Sequence, residues 1–252
     1  MHETLEEIKR RALKNAPFAD ARDQEHFNIP LNQWAYFCES LQEKRRSFYR
    51  VPSLDIEHIN TRNTCDCLFV SKNSSKNIRV FLVKESVVNF EVDAVINAAN
   101  ETLLGGGGVD AAIHDAAGPN LLKECAFFGG CKTGEAVITK GYDLPAKYVL
   151  HTVGPRHYPG EKVDQDTLKG CYEACFNLCD EYHLKTIAAP CIGCGVYGFP
   201  VATSAQLVKD AIQIYLDKGN PTIETIILAL FNEKEWNAYI SVFDPSSSCR
   251  TN

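Results

Sequence analysis

From Val92 to Gly118 the chain reads Val-Asp-Ala-Val-Ile-Asn-Ala-Ala-Asn, then Glu-Thr-Leu-Leu, then glycine at every position from Gly105 to Gly108, then Val-Asp-Ala-Ala-Ile-His-Asp-Ala-Ala-Gly. A β-branched strand, a glycine loop and an alanine-rich helix follow one another, and that order decides the fold class. Such a turn leaves unpaired backbone N–H groups at the positive end of a helix dipole, which is where a phosphate binds. Asp110 stands two residues past the last glycine. A carboxylate is repelled by a neighbouring phosphate, so it serves another purpose there: it caps the helix or complements its dipole, or it acts as a general base.

Outward from this stretch, short β-rich runs at 65–70, 78–83, 92–97, 136–139, 148–153, 186–189 and 222–231 alternate with helical stretches at 109–127, 165–182, 201–218 and 233–242. Alternation of this kind predicts an α/β domain whose central sheet, mixed but largely parallel, is covered by helices on both faces. Ligands bind such sheets beyond the carboxyl ends of the strands, where Asn97 to Asn100 and Cys191 to Gly195 both fall. Residues 1–62 read as a helical extension, with Leu5, Ile8 and Leu13 at near-helical spacing, a second run from Leu31 to Tyr49, and breaks at Pro17, Pro30 and Pro52. The domain proper then spans 63–243, and residues 244–252, with their Pro-Ser-Ser-Ser, read as a disordered tail.

A hydrophobic fraction of 45% in 252 residues is enough to fill an ordinary core. The formal net charge of −6 argues against a protein that coats nucleic acid, because non-specific binding to phosphate backbones needs Lys and Arg in excess. Glu3, Glu6 and Glu7 mix with Lys9, Arg10 and Arg11, unlike a signal or transit peptide. No run reaches the roughly 18 to 20 apolar residues that a membrane span requires. The expectation is a monomeric cytoplasmic or nuclear protein with no membrane partner. Its 11 cysteines then read as reduced thiols, mostly small core residues.

Several constellations compete for a chemical role. Gly106 to Ala111 fits the Gly-x-Gly-x-x-Gly/Ala dinucleotide pattern, which makes an NAD-dependent oxidoreductase the rival enzyme class. Against it, the loop comes late in the chain and no acidic residue closes a following strand some twenty positions on. Cys191 and Cys194 form a Cys-x-x-Cys pair in the expected cleft, half of a zinc site or a redox pair. No second pair or histidine at metal spacing accompanies them, so neither metal nor cofactor is expected. Cys171, Cys175 and Cys179 recur on one helix face and read as packing. His114 and His151 read as packed or hydrogen-bonded core histidines.

The Asn-Ala-Ala-Asn, Gly-Gly-Gly-Gly-Val-Asp and Ile-His-x-Ala-Ala-Gly words, together with Gly141 to Pro155 and Ile187 to Pro200, resemble macrodomains of the MacroD type over residues 63–243. The resemblance implies a three-layer α/β/α macrodomain that binds ADP-ribose without a cofactor. It also implies hydrolysis of ester-linked ADP-ribose, from acidic side chains of ADP-ribosylated proteins or from O-acetyl-ADP-ribose; the alternative is a non-catalytic reader of ADP-ribose. ADP-ribose carried on nucleic acid stays open as a substrate. By the same resemblance, Asn100 orients the distal ribose and Asp110 activates a water for attack. Gly106, Gly107, Gly108, Val109, Gly193, Cys194, Gly195 and Val196 line the diphosphate path, Tyr197 offers a flat face to the distal ribose, and Ser86, Val87, Asn97, Ala98 and Phe231 complete the ligand site.

Two departures from the family pattern stand out. Macrodomains usually carry Gly-Asp-Ile where this chain has Glu85, Ser86 and Val87, and that Asp accepts from the adenine amino group. Here either Ser86 or a reoriented Glu85 takes the role. The family also usually has Ser and Thr where this chain has Cys191, Gly193 and Cys194. Phe231 matches a position that packs near adenine, although a plain core aromatic fits the sequence as well.

Overall fold

The computed structural model of the protein describes Leu54 and residues 64–243. The expected helical extension and disordered tail lie outside the described residues, apart from Leu54. The Leu54 N–H donates to Asn89 O at 2.7 Å and its carbonyl accepts from Glu91 N at 3.1 Å, forming a parallel bridge to Phe90.

In Asn77-Ile-Arg-Val-Phe-Leu-Val polar and branched side chains alternate over the first four residues and the rest are apolar and buried on both faces, which suits a pleated strand that runs into the core. The strands are β1 (Thr64–Val70), β2 (Asn77–Val83), β3 (Ala94–Ala99), β4 (Ala136–Lys140), β5 (Tyr148–Val153), β6 (Thr186–Ala189) and β7 (Thr225–Ala229). They form one sheet in the order β1-β2-β7-β6-β3-β5-β4. The inner pairings are parallel, whereas β1 with β2 and β4 with β5 are antiparallel. The sheet is therefore mixed and largely parallel, with antiparallel edges.

The inner strands feed two separate cores from their two faces, whereas β1 buries one face and leaves Leu68 and Val70 exposed on the other. From β3, Ala94 and Ile96 pack under α3 (Gln165–Glu181), α4 (Val201–Asp217) and α5 (Glu233–Phe243). Val95 and Ala99 face the other way, towards α1 (Val109–Ala117) and α2 (Pro119–Phe128). This gives three layers. The Cys171, Cys175 and Cys179 stripe of α3 is fully buried in the first core, as packing requires.

The single helix expected over 109–127 is two. Gly118 adopts φ 78° between them and Pro119 opens the second; a proline cannot donate the helical hydrogen bond, so α1 stops. The strand expected over 222–231 contracts to Thr225–Ala229. At the amino ends of the strands, Asp93 ties β3 to β6. Its Oδ2 accepts from Lys185 N at 2.9 Å and Thr186 N at 3.1 Å, and its Oδ1 from Lys147 Nζ at 2.7 Å. Burial alone would raise its carboxyl pKa, but these hydrogen bonds prevail and lower it.

Candidate active site

The carboxyl ends of β3, β6 and β7 carry the loops that matter. After β3, the chain turns at Asn100, whose Oδ1 accepts from Thr102 N at 3.0 Å and Thr102 Oγ1 at 2.7 Å, while its Nδ2 donates to Gly105 O at 2.8 Å. Asn100 thereby shapes the glycine loop from its own side chain. Gly106, Gly107 and Gly108 are exposed. Gly108 is the N-cap of α1 with no side-chain cap bond, so the first N–H groups of the helix are left to solvent or ligand.

Two glycines here are not required by the protein itself. Neither Gly107 nor Gly195 has a left-handed φ, and a Cβ built on either would meet nothing within 4 Å. Their backbone conformations suit any residue, and the protein would accommodate a side chain at either. What a side chain would cost is the open space beside the backbone, one glycine on each of the two loops. Gly193 and Gly198 differ, because their φ values of +74° and +70° select glycine on conformation alone.

Asp110 is placed otherwise than expected. It is only 2% exposed, tucked under the glycine loop rather than standing open beside it. A Cβ at Gly106 would lie 3.0 Å from Asp110 Oδ2 and 3.1 Å from Asn100 Nδ2, so loop backbone, carboxylate and amide converge on one point. Asn97 donates to Asp110 Oδ1 at 2.7 Å, and His114 Nε2 lies 3.4 Å from the same oxygen. The cap reading fails, since α1 has no side-chain cap.

Asn97 itself, expected to touch ligand, is fully buried. It shares a strand face with Val95 and Ala99, which puts it in the core under α1. Its Nδ2 reaches Asp110 Oδ1 and also His151 Nδ1 at 3.0 Å. Both acceptors lie on the nitrogen side, so the amide gives one N–H to each and His151 Nδ1 must be the unprotonated nitrogen. The proton of the neutral ring then sits on Nε2 and is donated to Thr139 Oγ1 at 2.9 Å. Burial, with His114 close by, pulls the His151 pKa down to about 3, so the ring is neutral at ordinary pH. His151 is thus a hydrogen-bonded core histidine.

His114, Cys125 and His151 hold donor atoms within 4.8 Å of one another, a grouping that sequence spacing did not reveal. The hydrogen bonding argues against a metal there. His151 Nε2 carries a proton, and burial pushes the Cys125 thiol well up, so the thiolate that a metal requires is disfavoured.

On the second loop, Cys191 and Cys194 are joined as a disulfide with Cα atoms 5.7 Å apart. This corrects the reading of all cysteines as reduced thiols: one turn of loop brings the two within bridging distance. In this form neither sulfur is available to a metal. Tyr197 lies beneath the guanidinium of Arg156, whose Cζ is 4.2 Å from the ring centroid, so one ring face is taken by the protein itself. Val196 and Phe231 are 88% and 80% exposed. The core-aromatic reading of Phe231 is excluded, and both apolar side chains stand where a ligand could cover them.

At the opposite end, Glu85 is committed: its Oε1 accepts from Ser86 N at 2.7 Å and from Asn89 Nδ2 at 2.8 Å. Ser86 precedes the short 3-10 turn Val87–Asn89 and gives it no side-chain cap. Val87 is buried and Ala98 half-buried.

The Macro domain family model matches residues 96–208. A macro domain-containing protein of Methanosarcina mazei is 49% identical over 155 residues, which cover 62% of this chain and 82% of that protein. The chain belongs to the macro domain family. Among other relatives of this macrodomain, O-acetyl-ADP-ribose deacetylase 1 of Pantoea vagans is 40% identical over 66% of the chain and 99% of that protein. ADP-ribose glycohydrolase MACROD2 of Xenopus laevis is 40% identical over 79% of the chain, and the match spans 50% of that longer protein. A solved Trypanosoma brucei macrodomain in complex with ADP-ribose superposes with a TM-score of 0.63 at 32% identity, covering 95% of each chain.

Proposed function

We propose that this macrodomain binds ADP-ribose and hydrolyses ester-linked mono-ADP-ribose from acidic side chains of modified proteins, and O-acetyl-ADP-ribose as well. The observation that carries the reading is the convergence at Gly106, where an open glycine backbone, the Asp110 carboxylate and the Asn100 amide meet. Backbone amides of Gly106 to Gly108 and of Gly193 to Gly195 hold the diphosphate. Asn100 and the ring of Tyr197 orient the distal ribose, and Val196 and Phe231 lose exposed apolar surface against the ligand.

A water lodged between ligand phosphate and Asp110 Oδ2 passes a proton to that oxygen as it attacks the ester carbonyl; the C–O bond to the ribose breaks, the proton returns from Asp110 to the departing ribose oxygen, and the target's carboxylic acid ionises to solvent. Asn97 holds the other carboxylate oxygen, so Oδ2 keeps its direction towards the loop. The names of the Pantoea vagans and Xenopus laevis relatives support a hydrolase acting on ADP-ribose derivatives.

The burial of Asp110 supports a second reading, a reader that binds ADP-ribose without turning it over. Calorimetric titration with ADP-ribose, run beside release of ADP-ribose from a glutamate-modified protein, separates the two. Binding and release together are expected. Binding without release leaves the reader.

A further inference from the structure

A cavity of about 280 Å³ adjoins the candidate site and is not used by it. Glu101, Thr133, Gly154, Arg156, Tyr158 and Tyr197 line it. Of these only Tyr197 also belongs to the ADP-ribose cleft. No residue of the first glycine loop takes part, and neither Asn100 nor Asp110 reaches it.

The cavity is held together by bonds between the segment after β5 and the second glycine loop. The His157 N–H donates to Tyr197 O at 2.8 Å, and Arg156 Nη2 donates to the Tyr197 hydroxyl at 3.4 Å. On the facing wall Thr133 Oγ1 donates to Glu101 Oε1 at 2.8 Å, while Thr133 bridges to Val153 at the end of β5. One wall therefore carries a cation stacked on an aromatic ring, and the other a carboxylate with a hydroxyl already on it.

The Glu101 carboxylate on this lining would repel a diphosphate, which the convergent backbone amides of the glycine loops suit better. A fixed guanidinium faces carboxylates well, and the oxygens of Glu101 and Thr133 can accept from peptide N–H groups. The position adds the rest. Glu101 directly follows Asn100, and Tyr197 is shared, so the cavity begins where the distal ribose ends.

We propose that this cavity is a subsite for the polypeptide that carries the ADP-ribose, in which Arg156 pairs with an acidic residue flanking the modified one. The proposal rests on the hydrolase reading for the direction in which the target leaves the ribose. Arg156 is then a specificity residue. It ranks substrates by their sequence and takes no part in the reaction.

The test uses two synthetic peptides with ADP-ribose esterified to one glutamate, flanked by Glu in one and by Gln in the other. Each is compared with the wild-type protein, Arg156→Gln and Arg156→Lys. The wild type should favour the acidic flank by about five-fold in kcat/KM, a preference that shrinks with added salt. Arg156→Gln should bring the ratio to one, and Arg156→Lys should keep part of it. The ratio is taken within each variant, so any general effect of the substitution on Tyr197 cancels. Equal rates for both peptides in the wild type, or an unchanged ratio in Arg156→Gln, overturn the subsite. The same ratio of dissociation constants, from calorimetry, tests the subsite without turnover, so a protein that binds both peptides and cleaves neither refutes only the hydrolase reading.

Discussion

Asn97 donates to Asp110 across 2.7 Å from the face of β3 onto α1, and this one hydrogen bond joins the buried polar network to the open cleft. Behind Asn97 stand His151 and Thr139 on β5 and β4; on the cleft side of Asp110 lie Gly106 and the Asn100 amide. The carboxylate is aimed by a side chain that cannot turn, because its second N–H is engaged by the histidine.

Removing that carboxylate should separate chemistry from binding. Asp110→Ala is expected to lower turnover of ester-linked ADP-ribose by roughly 10² to 10⁴-fold, with binding retained or improved as a negative charge leaves the diphosphate path. The variant also orphans an Asn97 N–H, so a loss of about 1–3 kcal/mol in unfolding free energy should accompany it. Stopped turnover assays and denaturant titrations read the two effects. An unchanged rate removes Asp110 from the mechanism.

The glycine substitutions should behave in the opposite way. A Cβ at Gly107 or Gly195 meets nothing in the protein, so Gly107→Val and Gly195→Val should melt within a few degrees of the wild type. ADP-ribose binding should fall by at least ten-fold, on the order of 1.4 kcal/mol, because the branched side chain fills the ligand's space. Full affinity in both would move the diphosphate elsewhere.

His151 predicts a pH dependence of stability. Its folded pKa of about 3 lies below the unfolded value of about 6.5, so the unfolded chain binds the proton more readily. Stability from this residue is complete above about pH 6.5 and is lost as pH falls towards 3, on the order of 2 kcal/mol by pH 5. His151→Gln should flatten that part of the profile in urea titrations. A slope that survives the substitution assigns the effect to other groups.

Ser86→Asp tests the adenine end. Glu85 Oε1 is committed to Ser86 N and Asn89, and we propose Ser86 as the side chain that accepts from the adenine amino group. A carboxylate there should tighten ADP-ribose about five-fold, on the order of 1 kcal/mol. Weaker binding by calorimetry would show that repulsion from Glu85 outweighs the gain.

Chelation addresses the His114, Cys125 and His151 grouping. Turnover should be unaffected by EDTA and exhaustive dialysis, since His151 Nε2 is protonated and Cys125 is a thiol. One equivalent of tightly held zinc, with activity lost on its removal, contradicts the hydrogen-bond assignment.

Much of the domain is legible from local pattern. Tyr148–Val153 and Thr186–Ala189 match their expected bounds, because each is a short apolar run closed by Gly-Pro or Pro. The Gly118-Pro119 break was equally visible, yet the helical spacing on both sides hid it. Strand directions were harder: β1 and β4 turn antiparallel through pairings that no local period encodes. Asp110 shows why a site resists reading. A carboxylate in the first turn of a helix is usually solvated, and the partner that buries it stands 13 residues earlier on a strand. A polar Asn97 in register with Val95 and Ala99 was the available signal. The disulfide gave no signal beyond the Cys-x-x-Cys spacing, which fits a metal half-site equally well.

The strand order β1-β2-β7-β6-β3-β5-β4 also sets a timetable for synthesis. The β1–β2 hairpin is made first, but only β7 connects it to the rest of the sheet, through five parallel pairings from Arg79 with Thr225 to Val83 with Ala229. Until residue 229 has left the ribosome, β2 keeps one backbone edge unpaired, a condition in which nascent chains recruit chaperones or associate with one another. A ribosome that stalls between Gly198 and β7 would release a chain with both glycine loops present and the β1–β2 hairpin not yet joined to the sheet.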